Sequence, residues 1–318
     1  MMTGSNPLGH GRIIKADAAA ISEAAAALQA GDVVAIPTET VYGLAADASN
    51  AVAVANIYRT KGRPDFNPLI VHVPDHAAAE RLAQFDERAA LLAFRFWPGP
   101  LTLVLPLQPD APVAKAVTAG LPTIALRCPA HPVMQAVLKQ SGLFLAAPSA
   151  NRSGGISPTR AEHVARSFGD AMPLVLDAGS CSAGLESTIV AVRENDWQLL
   201  RPGPVTADEI AHLLGEPPLP VTGAKIEAPG QLASHYAPSK PVRLNASEAH
   251  ADEWHIGFGG VSGDDNLSAE SDLAEAAAHM FDALHKADAS NRKAIAIAPV
   301  PDEGIGVAIN DRLRRAAA

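Results

Sequence analysis

The segment that most constrains the fold of this chain runs from residue 37 to residue 73, where polar residues gather at the ends of predicted strands and helices. An apolar, strand-like run over residues 33–36 stops at Pro37, and the polar turn after it closes at Gly43. A second polar group separates a predicted helix from the next apolar strand and comprises Lys61, Arg63 and Asn67. Because α/β proteins place ligands at such ends, the segment predicts an α/β fold with a ligand site.

Length and composition indicate a soluble globular protein of two domains. A chain of 318 residues exceeds one average domain. The residues are 48% hydrophobic but only 4% aromatic, so the core is built mainly from Ala, Val, Leu and Ile, which fits helices packed over an apolar sheet. The formal net charge of −9 disfavours non-specific binding to a phosphate backbone, and we expect no strong direct nucleic-acid binding.

Cysteine usage and the absence of apolar segments indicate the compartment. Cys128 and Cys181 form no CxxC pattern, which argues against a disulfide framework or a cysteine-built zinc site and is compatible with a reducing cytosol. The N-terminal residues are polar and glycine-rich, and no apolar stretch is long enough to span a bilayer. The sequence therefore predicts a cytoplasmic protein without a membrane span.

Helical and strand patterns alternate along the chain. Helices are predicted over residues 18–30, 51–60, 131–140, 159–168, 209–214, 269–287 and 305–316, with two more between residues 76 and 96. Strands are predicted over residues 33–36, 69–73, 101–105, 123–127, 143–147, 174–177, 187–192, 197–201, 242–244, 254–258 and 294–298. This order predicts a large α/β domain followed by a second, smaller α/β domain.

Composition also predicts where the domains begin and end. Residues 1–12 are expected to form a flexible tail, and residues 13–215 the larger domain. Residues 216–241 are rich in proline and lack apolar periodicity, which indicates a linker or lid. Residues 242–318 are expected to form the smaller C-terminal domain.

Cationic side chains stand at two element ends. Lys61 and Arg63 lie where a helix ends, and with Asn67 they can hold phosphate oxygens through charge-assisted hydrogen bonds. Cations at a helix C-terminus also complement the helix dipole, so the spacing leaves both interpretations open. Arg127 ends a predicted strand, where its guanidinium suits either a bidentate grip on a carboxylate or a structural ion pair.

A loop rich in serine and glycine follows the strand predicted at residues 143–147. Such a loop supplies hydroxyls and closely approaching backbone amides for a phosphate or a sugar. The polar members of this loop are Ser149, Asn151, Ser153 and Ser157. Neither GxxxxGKS nor GxGxxG occurs there, so a surface loop remains an equal interpretation. His72, within an apolar strand, is typical of a core histidine as well as of a catalyst.

Several catalytic signatures are absent from the sequence. The eleven histidines form no HxH or HExxH pattern, so no transition-metal site is predicted. No GxSxG occurs, and no single serine or cysteine stands out as a nucleophile. Covalent catalysis is therefore disfavoured.

Seven short motifs carry a family resemblance. They are PTETVYGL from Pro37, KGRP from Lys61, NPL from Asn67, WPGPLT from Trp97, TIALR from Thr123, APSAN from Ala147 and ESTI from Glu186. In this order they resemble the Sua5/YrdC/YwlC family, the threonylcarbamoyl-AMP synthases. The segment SHYAP from Ser234, together with the second domain, resembles the longer Sua5 form of the family.

The resemblance implies a fold and a reaction. The expected fold is a YrdC-like twisted mixed sheet with flanking helices around a concave cavity, followed by a small Rossmann-like α/β domain. The expected enzyme is a nucleotidyltransferase: L-threonine and bicarbonate form a carbamate, which attacks the α-phosphate of ATP and releases pyrophosphate. The threonylcarbamoyl-AMP produced feeds the t6A modification at position 37 of ANN-decoding tRNAs through a downstream transfer machinery.

The resemblance also assigns residues to the two substrates. The residues expected around threonine are Thr40, His72, Arg127, Ser187 and the backbone of Ala147. The residues expected around ATP are Arg63, Asn67, Thr123, Ser149, Asn151, Ser157 and Arg201, with His235 and Tyr236 closing over the nucleotide. Lys61 and Arg63 are the expected catalytic residues beside the phosphates. Mg²⁺ is expected to be held largely by ATP oxygens and water, since the sequence shows no tight carboxylate cluster.

The residue types suit this reaction, since adenylation builds charge on phosphate oxygens that positioned cations and amides stabilise without a protein nucleophile. Two alternatives remain open. An RNA-binding or translation-associated module can use the same basic cavity for RNA phosphates, although the net charge of −9 weighs against it. O-carbamoylation of another acceptor shares the chemistry and differs in the group that Arg127 holds.

Overall fold

Two β-sheets organise the protein in this computed structural model, which describes residues 11–194, 196–220, 227–229 and 235–318. The tail predicted at residues 1–12 lies outside these ranges except for its last two residues. Within the described ranges, no helix is both long enough and apolar enough to cross a membrane.

The larger sheet has ten strands. They are β1 (Ile13–Lys15), β2 (Val34–Ile36), β3 (Gly43–Asp47), β4 (Ile70–His72), β5 (Leu101–Pro106), β6 (Thr123–Arg127), β7 (Leu145–Ala146), β8 (Leu174–Asp177), β9 (Thr188–Val192) and β10 (Trp197–Arg201). Their spatial order is β1-β8-β2-β3-β7-β4-β6-β5-β9-β10. Parallel pairs such as β4 with β6 occur beside antiparallel pairs such as β5 with β6. The predicted mixed sheet is confirmed.

Within the ranges that the structure describes, eight helices accompany this sheet. They are α1 (Ala18–Gln29), α2 (Ala51–Lys61), α3 (His76–Glu80), α4 (Glu87–Phe96), α5 (Lys115–Thr118), α6 (Pro132–Ser141), α7 (Ala161–Phe168) and α8 (Ala207–Leu214), with a short 3-10 turn at Gly169–Ala171. Buried Ala, Val, Leu and Ile side chains from helices and strands form the core, as composition predicts.

The ends of α2 determine where the chain enters the polar segment. Asn50 caps its start, because its side chain accepts hydrogen bonds from two backbone N–H groups of the first turn. Gly62 ends the helix with a φ of 62°, a left-handed conformation that favours glycine. The backbone N–H of Arg63 then donates to the carbonyl of Tyr58, which fixes the exit direction of the chain. The chain therefore leaves α2 in a defined direction, which fixes the position of the Arg63 backbone.

Strand register brings two predicted site residues together. β4 and β6 are parallel, and His72 lies opposite Arg127 at the last paired position. β7 runs antiparallel on the other side of β4, and the chain leaves it at Ala147. Because β4 and β6 are parallel, His72 and Arg127 lie at the same edge of the sheet, whereas Ala147 lies beside the start of β4, where its backbone N–H donates to the carbonyl of Ile70.

The smaller sheet is entirely parallel. Its strands are β11 (Val242–Arg243), β12 (Glu253–Gly257), β13 (Asp265–Asn266) and β14 (Ala294–Ile297), in the order β11-β14-β12-β13. Two helices complete the unit, α9 (Leu273–Ala289) and α10 (Gly306–Ala316). A parallel sheet with crossover helices is the small Rossmann-like α/β unit that was predicted. The exact boundaries of the domains stay a prediction.

The two units share a hydrophobic cluster. Val41 and Leu185 of the larger unit pack into the same buried cluster as Phe281 of α9. At Gly184 the contact is so close that a Cβ atom would lie 2.4 Å from the carbonyl oxygen of Ala277. The larger unit thus rests directly on α9 without room for a side chain at this position.

Four short elements were not predicted from the sequence: β1, β3, α5 and β13. β3 has the sequence GLAAD, whose small residues have low β-propensity, and it forms a strand because it pairs with β2 and β7 in a buried position. The described part of the proline-rich segment has no helix or strand, yet Ala228, Pro229, His235 and Tyr236 are buried.

Candidate active site

A concave cavity opens on the larger sheet beside β4, lined by Ile70 and His72 of β4, by Arg127 at the end of β6 and by Ala147 after β7. Its empty volume is about 530 Å³, counting the space at its mouth. The predicted site residues that line it are Thr40, Arg63, His72, Arg127, Ala147, Ser149, Ser187, Arg201, His235 and Tyr236. The structure therefore brings together side chains that are as far apart in sequence as Thr40 and Tyr236.

Arg127 is held at one end of the cavity by three groups. Its Nε donates to the carbonyl of Gly99 at 3.2 Å, and its Nη1 donates to the hydroxyl of Thr40 at 2.8 Å. Its Nη2 lies 2.7 Å from a carboxylate oxygen of Glu39. Burial alone raises the pKa of Glu39, but the adjacent guanidinium outweighs this effect and holds the pKa below its usual value. A buried, charged pair therefore orients the guanidinium.

His72 lies beside Arg127 as a buried, neutral imidazole. Burial, and then the positive charge of Arg127, lower the pKa of His72 to about 3. Its Nδ1 is buried and has no hydrogen-bond partner among the described residues. A neutral imidazole of this kind can accept a hydrogen bond from a bound molecule.

Arg201 and Ser187 form the wall next to this end. The Nε and Nη2 of Arg201 donate to the backbone carbonyl of Ser187 at 3.1 and 2.8 Å, and the Nη2 also lies 3.2 Å from the Ser187 hydroxyl. That hydroxyl lies 2.7 Å from the hydroxyl of Thr102 on β5. Burial lowers the pKa of Arg201, yet a guanidinium remains charged at neutral pH. The wall therefore offers a fixed positive charge to the cavity.

Arg63 supplies another buried cation to the cavity, close enough to Arg201 for the two charges to repel each other. Its Nη2 donates to the carbonyl of Pro68 at 2.9 Å and its Nε to the carbonyl of Asn67 at 3.3 Å. Burial lowers the pKa of Arg63 to about 10, so the side chain is charged at neutral pH. Together with Arg201 it gives this end of the cavity the charge that a polyphosphate requires.

Lys61 lies behind the cavity wall. Its Nζ donates to the backbone carbonyls of Ser149 and Asn151, and it is not among the lining residues. Burial, and then the nearby charge of Arg63, bring the pKa of Lys61 well below its usual value. In this arrangement the amine supports the turn that carries Ser149, and its catalytic role stays a prediction.

Four further predicted residues do not line the cavity. The Asn151 side-chain amide donates to the carbonyls of Arg152 and Gly155 within its own loop. Asn67 is buried beside Arg63. Thr123 begins β6, about 13 Å from Arg127 at the rise of an extended strand. Ser157 donates to the carboxylate of Glu186.

His235 and Tyr236 close the cavity on the side of the smaller unit. Both are buried, and their rings meet edge to face with centroids 4.1 Å apart. Burial lowers the pKa of His235 to about 3 and raises the pKa of Tyr236. The Tyr236 hydroxyl is buried and has no partner among the described residues. Both side chains thus present neutral polar groups to the cavity.

Two carboxylates in the site were missed from the sequence. Glu39 pairs with Arg127, and Glu186 lines the cavity between Ser157 and the smaller unit. Both lie within quoted motifs, PTET and ESTI, so the signal was an acidic residue beside predicted ligand-binding hydroxyls. Neither carboxylate was assigned a role from the sequence. The structure instead uses them to orient cations.

The described residues contain no group of three or more His, Cys, Asp or Glu side chains that could hold a metal ion. Both cysteines are free and buried, and burial raises the pKa of the Cys128 thiol to about 11 and that of the Cys181 thiol to about 12. Neither thiol is therefore an activated nucleophile.

Comparisons with known proteins cover both units. A family model described as telomere recombination, Sua5/YciO/YrdC, matches residues 26–203. A model described as the C-terminal domain of threonylcarbamoyl-AMP synthase matches residues 205–318. The threonylcarbamoyl-AMP synthase of Bacillus subtilis is 40% identical over 321 residues, which cover 93% of this chain and 92% of the relative. That of Pyrococcus abyssi is 39% identical over 316 residues, which cover 92% of each chain.

A solved structure agrees with these relatives. The crystal structure of P. abyssi Sua5 in complex with L-threonine matches with a TM-score of 0.85 and 37% identity, and the match covers 93% of this chain and 94% of that one. The similarity thus spans both sheets and the segment between them. On these grounds, the chain belongs to the Sua5 family of threonylcarbamoyl-AMP synthases.

Proposed function

We propose that the protein condenses L-threonine, bicarbonate and ATP to threonylcarbamoyl-AMP, with release of pyrophosphate and water. The observation that carries the proposal is a single cavity lined by a paired, oriented guanidinium, Arg127, and by two further buried cations, Arg63 and Arg201. One end suits an amino-acid carboxylate and the other suits a triphosphate, so both substrates meet in between.

At the threonine end, Arg127 holds the substrate carboxylate. A guanidinium carries five N–H groups, and Glu39, Thr40 and Gly99 engage three of its nitrogens, so two N–H groups remain for the substrate. The neutral His72 accepts a hydrogen bond from threonine beside it. Fixing the amino acid in this way holds its amine near bicarbonate. Because the two reactants are then held together in one site, less entropy is lost on reaching the transition state.

At the nucleotide end, Arg63 and Arg201 stabilise the charge that grows as the carbamate oxygen attacks the α-phosphate. The bond between the α-phosphorus and the bridging oxygen breaks, and the negative charge that grows on the departing pyrophosphate is partly compensated by cations that were fixed in advance. Ser149 offers a hydroxyl to the phosphates from the turn that Lys61 supports. No protein nucleophile is required.

Magnesium enters as part of the nucleotide substrate. Mg²⁺ keeps several waters and binds mainly through phosphate oxygens in such enzymes, which fits a site without a carboxylate cluster among the described residues. The product then passes to the machinery that builds t6A on ANN-decoding tRNAs.

The burial of the cations weighs against the RNA-binding alternative. Arg63, Arg127 and Arg201 are all more than nine-tenths buried, and a duplex or stem backbone cannot reach them. A small ligand that enters the cavity can. O-carbamoylation of a different acceptor would not require threonine, so a strict requirement for threonine distinguishes the proposed reaction from this alternative.

The test is pyrophosphate release from ATP by the purified protein, with threonine and bicarbonate each omitted in turn. We expect release only when all three substrates are present, and mass spectrometry should detect threonylcarbamoyl-AMP. Release that is independent of threonine would refute the proposal, and release driven by another carboxylate-bearing acceptor would support the carbamoylation alternative.

A further inference from the structure

A side chain from the smaller unit reaches the cavity wall. Arg312 on α10 is completely buried, and its Nε donates to a carboxylate oxygen of Glu186 at 2.9 Å. The other oxygen of this carboxylate accepts from the Ser157 hydroxyl. Glu186 itself lines the cavity, so Arg312 stands directly behind a lining residue.

The same guanidinium supports the closing segment. Its central carbon lies 5.3 Å from the centroid of the Tyr236 ring, within the range of a cation–π contact. Tyr236 also packs against Phe281 of α9, with ring centroids 5.6 Å apart, and the backbone N–H of His235 donates to the carbonyl of Arg315 on α10. The residues that close the cavity are thus seated on the smaller unit.

The contact between Arg312 and Glu186 changes the net charge of the cavity wall. Glu186 is an anion in the wall of a cavity that is to bind a triphosphate, and an uncompensated carboxylate there would repel the phosphates. Burial raises the pKa of Glu186, but Arg312 and then Arg201 outweigh burial and keep it ionised. With Arg312 engaging this carboxylate, Arg201 stays on Ser187 and faces the cavity.

We propose that Arg312 is a positioning residue of the nucleotide end: it neutralises Glu186 and seats Tyr236, and it thereby leaves the charges of Arg63 and Arg201 available to the phosphates of ATP. The inference rests on the proposed function, since it assigns ATP to this end of the cavity. It gives the smaller unit a specific part in substrate binding.

The experiment compares Arg312→Met, Glu186→Gln and the double variant with the wild-type chain. ATP affinity is measured by titration without threonine, and KM for ATP and for threonine is measured by pyrophosphate release. We expect Arg312→Met to weaken ATP binding at least about tenfold and to leave KM for threonine within about twofold. The double variant should regain part of this affinity, because Glu186 no longer leaves an unpaired carboxylate and Asp311, which Arg312 also contacts, keeps Arg315 as its partner, while the lost contact with Tyr236 is not restored.

Arg314→Met is the matched control, because Arg314 is exposed on the same helix, and it should bind ATP as wild type does. Should Arg312→Met fail to fold, Arg312→Lys, which keeps the cation, and the double variant carry the test. Unchanged ATP affinity in a folded Arg312→Met variant, or a double variant no better than Arg312→Met, would overturn the inference; where Arg312→Met does not fold, a loss of ATP affinity in Arg312→Lys as large as about tenfold would do so. Because the titration needs no turnover, a wild-type chain that binds ATP but releases no pyrophosphate would refute the proposed function and leave this inference standing.

Discussion

The two ends of the cavity are built in different ways. The end proposed for threonine is made by strand ends and one turn of the larger unit, where His72 and Arg127 lie at a paired position of β4 and β6. The nucleotide end draws on the larger unit, the segment around His235 and a helix of the smaller unit. One end follows from sheet register, and the other from packing between units.

This difference indicates how far the effect of a substitution should spread at each end of the cavity. Register in a buried sheet is strongly specified, since a slip of one residue would turn every side chain to the opposite face. Contacts between packed units depend on complementary surfaces such as the one at Gly184. Substitutions at the first end should therefore act locally, whereas substitutions at the second should also report on how the units fit.

The largest effect is expected for Arg127→Ala. The variant loses the charge-assisted grip on the substrate carboxylate, so kcat/KM for threonine should fall about thousandfold, or roughly 4 kcal/mol. ATP affinity should stay within about threefold. Pyrophosphate release at varied threonine and a nucleotide titration measure both, with Arg95→Ala on the exposed face of α4 as the control. If ATP affinity fell as much as kcat/KM for threonine, the two ends of the cavity would not be independent.

Arg63→Met tests the other end. Removal of one of two buried cations should raise KM for ATP about a hundredfold, or roughly 2.7 kcal/mol, and leave KM for threonine nearly unchanged. Steady-state kinetics with each substrate varied in turn provide the measurement. A comparable rise in KM for threonine would mean that the two ends act as one site.

His72→Asn tests the threonine end through the pH dependence of the free energy of unfolding. The pKa of His72 is lowered to about 3, so the unfolded chain binds a proton more readily between this value and the usual 6.5. Stability is therefore lost as the pH falls through this window, by about 2 kcal/mol for this residue between pH 7 and pH 5. Urea unfolding at both values should show a smaller acid loss in the variant. Equal losses in the variant and the wild type would contradict a buried, neutral His72.

The smallest effect is expected for Glu39→Gln. The amide keeps the shape of the side chain but removes the charge that orients Arg127, so kcat/KM for threonine should fall about tenfold, or roughly 1.4 kcal/mol. ATP binding should not change. Pyrophosphate release at varied threonine and the nucleotide titration measure both effects. An unchanged kcat/KM for threonine would show that Gly99 and Thr40 suffice to hold the guanidinium of Arg127.

The same contrast explains what the sequence could predict. Residues of the threonine end sit in short motifs at strand ends, where apolar runs stop and polar residues begin, so Thr40, His72 and Arg127 were predicted from local patterns together with family resemblance. The strand β3 escaped prediction because its small residues carry no strand signal, and its conformation is imposed by β2 and β7.

Arg312 escaped prediction for a different reason. It lies 126 residues from Glu186 in sequence, on a helix whose pattern indicates only that a helix is present. A buried arginine in such a helix gives no sign of its partner until the two units are docked. Acidic residues such as Glu186 were likewise assigned no role, since their role depends on which cation faces them.

The contact between Arg312 and Glu186 also bears on synthesis. Ribosomes add roughly 5 to 20 residues per second, so the 126 residues between the two partners correspond to a delay of about 6 to 25 seconds. During this interval the strands of the threonine end have already been translated, while Glu186 awaits its cation. The nascent protein would thus complete its amino-acid site before its nucleotide site, and full ATP affinity is expected only after α10 has docked.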